Sequence, residues 1–104
     1  MNASTTWKQW RNTETNLVEQ TFKAHGFKKV HAYRYNSASI RLRIIDPRFE
    51  GQSHSKRFEM AEKIIACLPE DLQSEILFLA LLTPAEARES TMNEEFENPS
   101  PTLE

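Results

Sequence analysis

Apolar positions in this chain change period several times, and each change predicts an element. Leu17, Val18, Thr21 and Phe22 recur at helical spacing, with Trp7 and Trp10 on a related stripe upstream. Asn12 or Thr13 is placed to cap the helix, Glu14 sits in the first turn where the helix dipole favours an acid, and His25-Gly26 supplies the stop. A first helix is therefore expected over 13–25, with the tryptophans packing a core edge.

The period then becomes two. Residues 27–35 and 39–45 read as a hairpin of two strands around Asn-Ser-Ala, with Ile40, Leu42 and Ile44 alternating with Arg41 and Arg43. A loop over 36–38 pairs Tyr33 with Arg41 and His31 with Arg43. Val30 and Ala32 then join the buried isoleucines, while Lys29, His31, Tyr33, Tyr35, Arg41 and Arg43 form the opposite face. Asp46-Pro47 ends the strand, because proline lacks an amide donor and restricts the residue before it. Ser53 or Ser55 caps a second helix to about Leu68, with Phe58, Ala61, Ile64, Ile65 and Leu68 as its apolar stripe. Pro69 stops it, and residues 70–75 form a polar turn. Residues 76–82 are apolar at every position, as in a strand covered on both faces. Thr83-Pro84-Ala85-Glu86 has the pattern of a helix start: a capping threonine, a proline in the first turn and an acid three residues on.

Composition adds one feature to this outline. The formal net charge is only −2, yet residues 23–63 hold ten Lys/Arg against four Asp/Glu, and residues 64–104 hold one Arg against nine Asp/Glu. A division this strong points to a charged partner or to an acidic tail. The single cysteine, Cys67, lies in an apolar setting that predicts a buried thiol and no reliance on an oxidising compartment. The start shows no secretory pattern, and ILFLALL is far shorter than the ~20 residues that cross a bilayer. A cytoplasmic protein is expected.

Most chemistries find no support. His25, His31, His54 and Cys67 lack the close spacing of a zinc site. With Gly26 and Gly51 as the only glycines, there is no phosphate loop and no nucleophile elbow. Ser53-His54-Ser55 reads as helix capping, and Glu59 and Glu62 as a solvated helix face. The stretch YRYNSASIRLRIIDPRFEG instead sets arginines among tyrosines. Arginine over a tyrosine ring is stabilising by ~0.5–1 kcal/mol at an exposed site, so one reading is a self-shielding Arg–Tyr ladder. The same arrangement suits stacked bases and phosphates, or an acidic segment from this chain's tail or from another protein.

The segment SIRLRIIDPRFEGQSHSKRFEM, followed by an apolar strand ending LLTPAE, resembles the BolA-like family. Phe49, Gly51, Ser53 and Arg57 fit that family's strand, Phe-x-Gly turn and following helix. The match covers 13–88 by element order and 39–60 by motif. The stretch is also similar to small bacterial proteins of unassigned function. The resemblance implies a KH-related fold, links to DNA binding, and partnership with monothiol glutaredoxins around an iron–sulfur cluster held in part by a histidine near the last strand. Here the family's Arg-His pair reads Arg57-Phe58, and EILFLALLT contains no histidine, so the cluster role is not carried over. The KH clamp requires a GXXG loop, which this chain lacks.

The fold expected is α+β, in the order α-β-β-α-β(α): a two-layer domain with a three-stranded mixed sheet and helices on one face, BolA/KH-like. Residues 1–12 form an N-terminal segment, 13–88 one domain and 89–104 an acidic, disordered tail. The function expected is a small non-enzymatic binding domain with no cofactor or metal and no membrane contact. A protein partner ranks ahead of single-stranded nucleic acid, and residues 76–82 offer a homodimer surface. The candidate binding surface is Lys29, His31, Tyr33, Tyr35, Arg41, Arg43 and Arg48. Replacing Arg41 and Arg43 together by glutamate is expected to weaken binding and leave the fold intact.

Overall fold

In the computed structural model, which describes residues 7–89 and Phe96, the chain runs through α1 (Thr13–Lys23), β1 (Lys29–Asn36), β2 (Ser39–Ile45), α2 (His54–Ile65), α3 (Glu70–Glu75), β3 (Ile76–Leu82) and α4 (Pro84–Ala87). Short 3-10 turns at Trp7–Trp10 and Pro47–Phe49 precede α1 and α2. Asn12 caps α1: its side chain accepts from the Thr15 N–H, and the Thr15 hydroxyl accepts from the Asn12 N–H in return. Gly26, at φ +95°, takes the left-handed conformation that turns the chain from α1 into β1. Ser53 caps α2, and Thr83 with Glu86 forms the capping box of α4.

The three strands form one sheet in the order β1-β2-β3, with β1 and β2 antiparallel and β2 and β3 parallel. The hairpin register pairs His31 with Arg43 and Tyr33 with Arg41, as the alternation predicts. Its loop is tighter than expected. Asn36 pairs with Ser39, leaving Ser37 and Ala38 to turn, and the register shifts around Tyr35. The turn has no left-handed residue, so an irregularity beside it takes up the twist that a primed turn would otherwise provide. The Asn36 carboxamide oxygen accepts from the Ala38 N–H and the Ser39 hydroxyl.

The main core lies between α1, α2 and one face of the sheet. Val18, Phe22, Val30, Leu42, Ile44, Phe49, Ile64 and Leu81 are among its buried members. Several expectations are corrected. Residues 70–75 form a short helix, with Leu72 buried, where a polar turn was expected. In α2 the inward positions are Arg57, Ala61 and Ile64, which leaves Phe58 exposed. Leu17 of α1 is likewise exposed, and so is Cys67, whose apolar neighbours do not enclose it. The register of β3 shifts between Ile76 and Phe78, extruding Leu77, which is 71 % exposed. A strand covered on both faces is thus correct for its second half, where Ala80, Leu81 and Leu82 are buried.

Ion pairs with one largely buried member bind the layers together. Glu19 of α1 is 1 % exposed; its carboxylate accepts from the Ala32 N–H at 2.9 Å and from Arg11 at 2.7 Å. Arg34 pairs with Glu14 and, at 2.7 Å, with Glu75, joining α1, β1 and α3. Arg57 reaches Glu86 at 2.7 Å and the Leu81 carbonyl at 2.9 Å. No helix among the described residues is long and apolar enough to cross a membrane.

Candidate functional site

Strand alternation carries His31, Tyr33, Tyr35, Arg41 and Arg43 to the sheet face opposite α1 and α2. β3 adds Phe78 beside Arg41 and Ala80 beside Arg43. The face has two halves with different accessibility.

In the closed half Tyr33 is fully buried and Arg43 is 5 % exposed. The cover comes from both ends of the chain. Phe96 meets Tyr33 edge-on at 5.0 Å between ring centroids, and Trp7 lies 6.0 Å from Phe96 and 4.8 Å from His31. The Arg43 guanidinium sits 4.7 Å from the Phe96 centroid, so the cation faces a ring that is itself fully buried. Arg43 also donates from Nε to His31 Nδ1 at 3.0 Å. Burial, and then the charge of Arg43, hold the His31 pKa down at about 4, and Lys23, Lys8 and Arg11 push in the same direction. These four charges are all positive, so the described side chains that act most strongly on this imidazole are cations.

In the open half the Arg41 guanidinium lies 4.0 Å from the Tyr35 centroid and 5.0 Å from that of Phe78. These three side chains and the extruded Leu77 line a groove of about 300 Å³. Tyr35, Arg41 and Phe78 are half-buried, so their edges meet solvent.

The structure thus brings together five of the seven predicted surface residues and separates their exposure. Lys29 is exposed at the start of β1, opposite Ile45, at the margin of the face. Arg48 lies elsewhere: its guanidinium is 3.8 Å from the Phe27 centroid and bonds Asp46 at 3.1 Å, at the end of the helical core. Tyr33 and Arg43, expected as surface residues, belong to a second small core made with Trp7 and Phe96. Sequence reasoning missed Phe96 because it falls in the acidic tail. An isolated aromatic among Glu94, Glu95 and Glu97 was the available signal. The rest of the expected tail, 90–95 and 97–104, lies outside the described residues.

Two other depressions carry less. A cleft of about 500 Å³ is lined by Trp10, Arg11, Glu14, Arg34 and Glu75, whose charges are engaged in the ion pairs above or in the Arg11–Glu19 pair. A smaller hollow of about 130 Å³ lies between His54 and Phe58 of α2 and Leu79 and Leu81 of β3. Among the described residues no three His, Cys, Asp or Glu side chains converge as a metal site requires.

No protein-family model matches the sequence, and no curated protein matches it. Among solved structures the chain is similar to the solution structure of the BolA1 protein from Mus musculus, with a TM-score of 0.59, 18 % identity, and coverage of 98 % of this chain and 84 % of that one. The fold is BolA-like, in agreement with the element order and the Phe49-Glu50-Gly51 turn.

Proposed function

We propose that this chain is a non-enzymatic protein-interaction module that docks its partner on the open half of the sheet face. The observation that carries this reading is the groove in which Arg41 lies between Tyr35 and Phe78 beside Leu77. Aromatic side chains and arginine are the residue types enriched at the centres of protein interfaces, because they bring large rigid contact area with a polar edge. Leu77 adds the most exposed of the large apolar side chains found on the described surface, next to that groove. Single-stranded nucleic acid is supported less well. Base stacking needs accessible rings and phosphate binding needs accessible cations, and while Phe96 is in place the burial of Tyr33 and Arg43 withdraws one of each.

A second reading, self-association through β3, is favoured by the same Leu77 and by the position of β3 as an outer strand of the sheet. Sedimentation at rising concentration tests it.

The main reading is tested by placing a photo-reactive side chain at position 77, with position 59 on the helical layer as the control, in cells that express the chain. Protease-sensitive adducts from 77 and not from 59 are expected. Nuclease-sensitive adducts, or equal labelling from the two positions, overturn it.

A further inference from the structure

Phe96 occupies a socket whose floor and walls are Tyr33, Trp7 and Arg43, and it is fully buried there. Three observations set it apart from an ordinary core residue. First, the main core, on the opposite face of the sheet, closes without it. Second, its neighbours in sequence are acidic, Glu94-Glu95-Phe96-Glu97, whereas the charges that act on His31, beside the socket, include Arg43, Lys23, Lys8 and Arg11, so the sequence around the ring is opposite in charge to the face on which the ring sits. Third, the socket is continuous with the open groove, since Tyr35 and Phe78 pack against the same small cluster.

We propose that Phe96 is a resident, displaceable ligand: the tail holds, within one molecule, the socket that a partner's aromatic residue flanked by acidic residues would take. The proposal rests on the protein-partner reading above and names the chemistry of that partner. Phe96 follows Glu89 by seven residues, a short tether that gives the tail a high effective concentration at its socket. A partner segment then binds only the fraction of molecules whose socket is empty, and its apparent affinity falls by that fraction. Displacing the tail joins the socket to the groove beside it, so the partner gains a contact surface that the resting chain keeps covered.

The test uses the full chain, wild type and Phe96→Ala, titrated with a fluorescein-labelled peptide of sequence MNEEFENPS and with its alanine-for-phenylalanine version. The phenylalanine peptide is expected to bind Phe96→Ala at least about tenfold more tightly than it binds wild type, and to weaken as salt rises. The alanine peptide is expected to bind neither. Equal affinity for the two proteins places the peptide elsewhere and overturns the proposal, as does absence of binding to Phe96→Ala. Loss of the folded circular-dichroism signal in Phe96→Ala also overturns it, because Phe96 is then a core residue. Cross-linking from position 77 is independent of this peptide: protein adducts there, together with a failed peptide titration, reject the displaceable tail alone.

Discussion

Arg43 Nε donates to His31 Nδ1 at 3.0 Å, and a terminal guanidinium nitrogen lies 2.9 Å from the same ring atom. An imidazole that accepts from a guanidinium must be neutral at Nδ1, with its proton on Nε2. Stability is therefore expected to depend on pH. His31 has a folded pKa of about 4 against an ordinary 6.5, so below pH 6.5 the unfolded chain takes up the proton first. The contribution of neutral His31 is complete above 6.5 and is lost progressively as pH falls towards 4. Urea midpoints between pH 7 and 4.5 check this, with His31→Phe expected to flatten that part of the profile.

The two strand arginines are expected to respond differently to charge reversal. Arg43→Glu puts a carboxylate under the Phe96 ring in a nearly closed site and should destabilise by about 3 kcal/mol. Arg41→Glu removes cation–π contacts at a half-exposed groove, a loss of roughly 1 kcal/mol, while abolishing the proposed docking surface. Thermal unfolding of the single variants separates them. The double reversal expected from sequence to spare the fold is corrected accordingly: only its Arg41 half is suited to that purpose.

Glu19 protects the edge of β1. Glu19→Ala leaves the buried Ala32 N–H without its acceptor and frees Arg11, at an expected cost of about 2–3 kcal/mol, measured by urea denaturation. Glu19→Gln keeps an acceptor oxygen for Ala32 and should lose less than half as much.

Arg57 is expected to be the more sensitive partner of its pair with Glu86. It is 5 % exposed and also donates to the Leu81 and Gln52 carbonyls, so Arg57→Ala should cost about 2–3 kcal/mol in chemical denaturation. Glu86 has a half-exposed side chain and its loss is screened by water; Glu86→Gln should cost at most ~1 kcal/mol. The hydrogen bond from Arg57 and that from the Thr83 N–H hold Glu86 down at about pH 2, against an ordinary 4.5. What this pair contributes is present above pH 4.5 and lost as pH falls through 2.

Local sequence pattern determined the order of the two longer helices and three strands and the hairpin register, and it narrowed the caps to Asn12 or Thr13, to Ser53 or Ser55, and to Thr83, because hydrogen bonding and alternation act within a few residues; the short helix over 70–75 escaped it. It also placed Tyr35 and Arg41 on one face with Tyr33 and Arg43. Only the tertiary structure decided which of these four meet solvent. Trp7 and Phe96, nearly ninety residues apart, converge on Tyr33 and Arg43, and periodicity has no means of registering a cover brought in from the two ends of a chain. Likewise local pattern does not pair Glu19, Arg34 and Arg57 with Ala32, Glu75 and Glu86, which the fold brings against them from distant parts of the chain. Alternation assigns a side chain to a face; burial depends on what else the whole fold delivers to that face, and here that is the difference between a surface arginine and a core one.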